Sequence, residues 1–170
     1  MAETHPFGVF VPPITNYFFL GSFTGKVEDT SYDWFYSNKR NQFWSIMEIV
    51  YGIDLSTKVK KQYLFTELRM AIADIIISCE RKANSNLDMN LTNMVFNTEA
   101  INKVFQRNKI KSIYFSSRFA EKLFRKAFKD VMIQYQNIEL ITLPSPSPRY
   151  ASMSKQEKVA RYTELLPKLN

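Results

Sequence analysis

Tyr17-Phe18-Phe19-Leu20-Gly21-Ser22-Phe23-Thr24-Gly25 is an unbroken apolar run that ends in a loop bounded by two glycines. A short continuous apolar stretch reads as a strand buried on both faces, here residues 16–22, and Gly21 marks where it gives way to a turn. Strands buried on both faces belong to parallel sheets covered by helices. Upstream, Val11-Pro12-Pro13 excludes helix and leaves residues 1–13 as an extended N-terminal segment.

Downstream, helical and strand-like segments alternate. Phe43, Trp44, Met47 and Val50 recur at helical spacing, which predicts a helix over residues 39–51 stopped by Gly52. A second helix is expected over 58–70, with a lysine-rich polar face. Residues 71–79 are apolar apart from Asp74, and Ile75-Ile76-Ile77 favours strand, with a buried turn of helix before it as the alternative. Thr98 reads as the cap of a third helix, residues 110–115 as a strand, and Ser116 or Ser117 as the cap of a helix carrying Phe119, Leu123, Phe124 and Ala127 on one face. Residues 138–143 form a last strand halted by Pro144, and Ser154 opens a terminal helix reaching Leu166. The expected fold is therefore α/β: one domain spanning residues 1–170, a three-layer αβα sandwich around a mainly parallel sheet of about four strands. In such sheets the functional loops lie beyond the carboxyl ends of the strands. Two loops qualify, residues 21–25 after the first strand and 144–150 after the last.

Composition narrows the partners. With 170 residues, 45% of them apolar, the chain can bury a substantial core, and 15% aromatics leave rings for stacking on a ligand. A net charge of +7 favours a polyanion such as nucleic acid over an acidic protein or cationic substrate. A single cysteine, Cys79, excludes an intramolecular disulfide, and with His5 as the one histidine, in a start that looks disordered, no metal site is expected. No long apolar span or secretion signal is visible, so the expectation is a cytoplasmic, nucleoid-associated chain without membrane contact, monomeric by default.

The strand and loop at 17–25, followed by Tyr36-Ser37-Asn38-Lys39-Arg40-Asn41-Gln42-Phe43-Trp44, resemble the uracil-DNA glycosylase superfamily. Three later segments, Asp74 to Lys82 (DIIISCERK), Ser116-Ser117-Arg118-Phe119 and Leu143-Pro144-Ser145-Pro146-Ser147-Pro148, resemble the corresponding motifs of its hypoxanthine-DNA glycosylase (DNA-deoxyinosine glycosylase) branch, in the same order. The resemblance spans residues 16–165. It implies a cofactor-free and metal-free enzyme that flips a deaminated base, hypoxanthine above uracil or xanthine, out of DNA and hydrolyses its glycosidic bond. A non-catalytic DNA-binding relative would present a similar sequence.

A glycosylase must extrude a base, stack it, polarise the leaving group, direct water and hold the backbone. In the first loop, Gly21, Ser22, Phe23 and Gly25 let main-chain N–H groups approach the base or the developing anion, although a plain tight turn would look alike. Phe23 stands where relatives carry a water-activating Asn or Asp, and the resemblance moves that role to Asn38; the alternative makes Asn38 the cap of the helix beginning at Lys39. Asn41 would brace the pocket beside Phe43. Tyr36 sits where relatives place an aromatic that sandwiches the base, or else joins Trp34 and Phe35 in the core. Asp74 could act as general acid or base, or be satisfied by a cap or by Arg118. Ser145 and Ser147, with Arg149, Ser117 and Arg118, would clamp phosphates, unless the prolines merely rigidify a strand exit. Leu143 replaces the polar residue that uracil-selective relatives carry. Lys109, Lys111, Lys122, Arg125 and Lys126 extend a basic region that could track the backbone, with Lys58 to Lys61 competing for that role.

Overall fold

The computed structural model describes residues 1–25, 32–82 and 87–170. Its elements are β1 (Ala2–Thr4), β2 (Tyr17–Gly21), α1 (Phe43–Tyr51), α2 (Lys58–Glu67), β3 (Met70–Asp74), β4 (Ile76–Arg81), a 3₁₀ turn (Asp88–Asn90), β5 (Leu91–Phe96), α3 (Thr98–Arg107), β6 (Ser112–Phe115), α4 (Arg118–Ala127), α5 (Lys129–Gln134), β7 (Glu139–Thr142) and α6 (Lys155–Leu165). Four strands form a parallel sheet in the order β3-β2-β6-β7.

The period-two alternation of strand side chains builds the three layers. From β2, Phe18 and Leu20 point to one side, where Ile101, Val104 and Phe105 of α3 and Leu123 and Phe124 of α4 join them. Phe19 points to the other, among Phe43, Trp44 and Met47 of α1, Leu64 and Phe65 of α2, and Tyr162 of α6. All three β2 side chains are fully buried. At about 1.5–3 kcal/mol for each fully buried large apolar side chain, this central strand anchors both cores.

Several boundaries differ from the sequence reading. The first helix starts at Phe43 rather than Lys39, because residues 38–42 are spent on two side-chain turns. α2 ends at Glu67; Arg69, at φ 57°, turns the chain directly into β3 at Met70. Thr98 is the first residue of α3 and makes no cap; Asn97 precedes it without a side-chain cap bond. Ser117 caps α4 through Ala120 N (3.2 Å), and Ser154 forms a capping box with Glu157 on α6.

The apolar run at 70–79 serves two sheets. The amides of Ile75 and Ile76 donate to the carbonyls of Gly21 and Ser22, which end the parallel pairing, and the chain then enters a three-stranded antiparallel sheet β1-β4-β5. That sheet was not anticipated, nor was the ordered start: residues 2–4 are its edge strand, with Thr4 opposite Ser78.

Candidate active-site cleft

Beyond the carboxyl ends of β2, β3, β6 and β7 lies a cleft of about 1030 Å³, walled by residues 22–25, Tyr36, Asn38, Arg40, Asn41, and residues 87–88, 116–119 and 143–150. The two loops singled out from the sequence thus face one another across it.

Its floor is set by strand register. Gly21 pairs with Asp74, so the end of β2 sits beside the one carboxylate of β3. Asp74 Oδ2 lies 2.6 Å from His5 Nε2, and both side chains are only 4% exposed. The Phe7 amide donates to His5 Nδ1 (3.2 Å), which assigns the ring proton to Nε2 and makes His5 the donor to Asp74. The rings of Phe7, Phe23 and Phe35 surround the imidazole at 5.3–5.8 Å. Arg81 makes a two-point bond to Glu3 (2.9 and 3.2 Å), donates to Thr24 O and lies over Phe23, tying the N-terminal strand to the first loop. The partner of Asp74 is therefore His5, not Arg118, which is exposed at the start of α4. The overlooked sequence signal was Glu3 and His5 two residues apart, at strand spacing, opposite the lone Asp74 and Arg81 of an apolar stretch.

Gly21 itself does not line the cleft. A Cβ there would fall inside 3.0 Å of both the Tyr36 hydroxyl and Asp74 Oδ1, so glycine is what lets those two oxygens converge on the strand end. Tyr36 has φ 57°, and this left-handed residue turns its ring away from its neighbours: Trp34 and Phe35 are core, at 2% and 1% exposure, while Tyr36 reaches the cleft. Its hydroxyl is buried without a hydrogen-bond partner among the described residues. Burial, then the Asp74 carboxylate, pushes this phenol well above its usual range, with Ser116 exerting a smaller opposite pull. Phe43 is fully buried behind Tyr36, ring centroids 4.6 Å apart, and supports the pocket rather than lining it.

Asn38 and Asn41 both line the cleft. Each closes a side-chain turn, Asn38 Oδ1 accepting from Arg40 N (3.0 Å) and Asn41 Oδ1 from Phe43 N (2.9 Å). With its oxygen so engaged, Asn38 offers its amide hydrogens to the cleft, and no helix at Lys39 exists for it to cap. Across from them, the exposed Asp88 accepts from Ser22 Oγ (3.4 Å); partial desolvation at the cleft rim, then the Asp74 charge, raises its carboxyl. Asp88 carries no periodic or motif signal, which is why sequence reasoning passed over it.

The loop at 143–150 is held from behind. Tyr162 Oη donates to Pro144 O (3.1 Å), Gln42 N to Pro146 O (2.9 Å) and Lys158 Nζ to Ser147 O (3.0 Å). Ser145 Oγ accepts from Ser147 N, and Ser147 Oγ from Arg149 N, each at 3.2 Å. Three carbonyls are thereby occupied and two hydroxyl hydrogens left to donate, while Ser117, Arg118 and Arg149 complete a donor-rich rim. Leu143 is buried in the core, 1% exposed. Lys109 and Lys111 precede β6 and so lie at the opposite end of the sheet from the cleft, which removes them from the expected basic track. Lys61 is buried against Asp33, Ser37 and the Trp44 ring, and Lys60 pairs with Asp54.

No family model matches the sequence, and no curated protein matches it. Among solved structures, the chain is similar to the solution NMR structure of a protein from Methanosarcina acetivorans provisionally assigned as a uracil DNA glycosylase. The two are 20% identical, the match covers 97% of this chain and 99% of that one, and the TM-score is 0.66. The likeness extends over the whole parallel sheet and its helices and establishes a shared fold.

Proposed function

We propose that this chain is a monofunctional DNA glycosylase of the uracil-DNA glycosylase superfamily, which hydrolyses the N-glycosidic bond of a flipped deaminated base, preferably hypoxanthine, and leaves an abasic site. The observation that carries this reading is the pairing, across one cleft, of a donor-rich loop suited to backbone phosphates with a floor holding a buried, oriented carboxylate. The fold shared with the Methanosarcina protein, the four ordered motifs and the net charge of +7 support it.

In this reading Ser145, Ser147 and Arg149 hold the phosphates beside the target nucleotide and fix register without reading sequence. The flipped base enters between Tyr36 and the loop carrying Phe23, where ring stacking contributes about 1–3 kcal/mol. The Asn38 amide donates to the base or to the attacking water. As the glycosidic bond breaks, its electron pair leaves on the base and positive charge develops on the sugar. Asp74, shielded from water and oriented by His5, stabilises that charge more strongly than an exposed carboxylate would. Water then adds at the anomeric carbon and loses a proton, and the departed base anion takes one up from solvent, giving the free base and an abasic sugar. Phe23 and Leu143 present no polar group to a pyrimidine anion, which supports a purine substrate over uracil.

The test is incubation with end-labelled duplexes bearing inosine, uracil or xanthine, followed by alkaline cleavage of abasic sites. Breaks at inosine ahead of uracil are expected. Salt-sensitive binding with no breaks on any duplex would establish instead a DNA-binding relative that has lost the chemistry, a reading favoured by Phe23 in the first loop.

A further inference from the structure

Lys158 is 1% exposed, yet its ammonium has no carboxylate within ion-pair distance among the described residues. It donates to Gln42 Oε1 (2.8 Å) and Ser147 O (3.0 Å) and lies 5.6 Å from the centroid of the Tyr150 ring. The acidic residues of its own helix are committed elsewhere: Glu157 accepts from Ser154 N, and Glu164 pairs with Arg161. Burying a cation without a counter-charge is costly, and a neutral donor could serve the same two oxygens at lower cost. What distinguishes the position is that it lies directly behind the loop whose front carries the hydroxyl hydrogens of Ser145 and Ser147 and the side chain of Arg149.

We propose that Lys158 is the buried half of a phosphodiester-binding site, its missing counter-ion being a backbone phosphate of DNA seated on the front of the loop at 145–150. This rests on the reading of the chain as a protein that acts on DNA. The geometry gives the ammonium two tasks. It holds Ser147 O, and with it the turn that presents the two hydroxyls. It also supplies a positive charge that solvent screens little, because it is buried. Desolvation lowers the Lys158 pKa, a shift that a phosphate seated nearby would oppose. Arg118 and Arg149 are exposed at the rim, whereas this cation is fixed in place by its two hydrogen bonds.

The experiment compares wild type with Lys158→Met and Lys158→Gln for binding to a fluorescent undamaged duplex over a range of salt concentrations, with folding verified by circular dichroism and melting. The expected result is a binding slope against salt reduced by about one and affinity at low salt reduced about tenfold. Folded variants with an unchanged slope overturn the proposal and leave Lys158 a purely structural donor. Should the variants not fold, the wild-type lysine ammonium is followed by NMR with and without the duplex. A titration displaced upward by DNA supports the site, and an unmoved one overturns it. A normal slope change in a protein that excises no base would overturn the glycosylase reading while leaving this inference standing.

Discussion

Replacing His5 with alanine removes the hydrogen-bond donor to Asp74 in a site where both side chains are 4% exposed and the contact is 2.6 Å. Removing the neutral donor of a hydrogen bond to a buried charged group typically costs about 1.5–3 kcal/mol, because the remaining charge is left desolvated. For a chain of this length, roughly 2–4 °C of melting temperature is lost per kcal/mol, so His5→Ala is expected to melt roughly 3–12 °C lower. A structural escape limits the loss. β1 is a three-residue edge strand, and its release would hydrate Asp74 without global unfolding, so the deficit should appear partly as fast amide exchange in β1 and β4. A double-mutant cycle with Asp74→Ala separates the pair from its surroundings, with an expected coupling of about 0.5–3 kcal/mol. Coupling near zero, or a His5→Ala cost below about 1 kcal/mol with normal β1 protection, would refute the assignment of His5 as the group that supports Asp74.

Gly21→Ala forces Tyr36 and Asp74 apart and should cost about 1–3 kcal/mol in urea unfolding, together with most of any excision activity; a neutral result would contradict the close approach of those oxygens. Asn38→Ala should lower single-turnover excision by about 10²-fold or more while leaving duplex affinity within a fewfold, whereas an unchanged rate would remove Asn38 from the chemistry. Asp88 has a folded pKa raised above its unfolded value, so its contribution to stability is full below the unfolded carboxylate pKa and is lost as pH rises through the folded one. Asp88→Asn should therefore melt higher than wild type at neutral pH, with the difference shrinking in acid; equal melting at both pH values would show that the carboxyl is not desolvated.

Legibility from sequence followed locality. The parallel sheet could be read because β2, β3 and β6 bury both faces and are therefore short apolar runs, as at Phe18 to Leu20 and Ile113 to Phe115, with the half-buried β7 at the edge. The antiparallel sheet could not. β5 alternates half-buried and exposed residues after Leu91 across an irregular ladder, and β1 spans three residues with no apolar pattern, so its existence depends on pairing with a strand more than seventy residues away. The site divides the same way. Tyr36, Asn38, Ser145 and Ser147 sit in contiguous motifs and reach the cleft together. His5 and Lys158 become visible only through contacts 69 and 116 residues distant along the chain, and no local propensity encodes them. Phe43 shows the converse limit: proximity to a motif placed it in the pocket, but helical phase turned it into the core behind Tyr36.

The central claim is hydrolysis of a glycosidic bond, and its most direct measurement is mass spectrometry of what the protein releases from an inosine-containing duplex in the presence of EDTA. Free hypoxanthine in one-to-one yield with abasic sites, outpacing uracil release from a matched duplex, is the predicted result. A duplex recovered intact, with the base still attached after prolonged incubation with excess folded, DNA-bound protein, would contradict it.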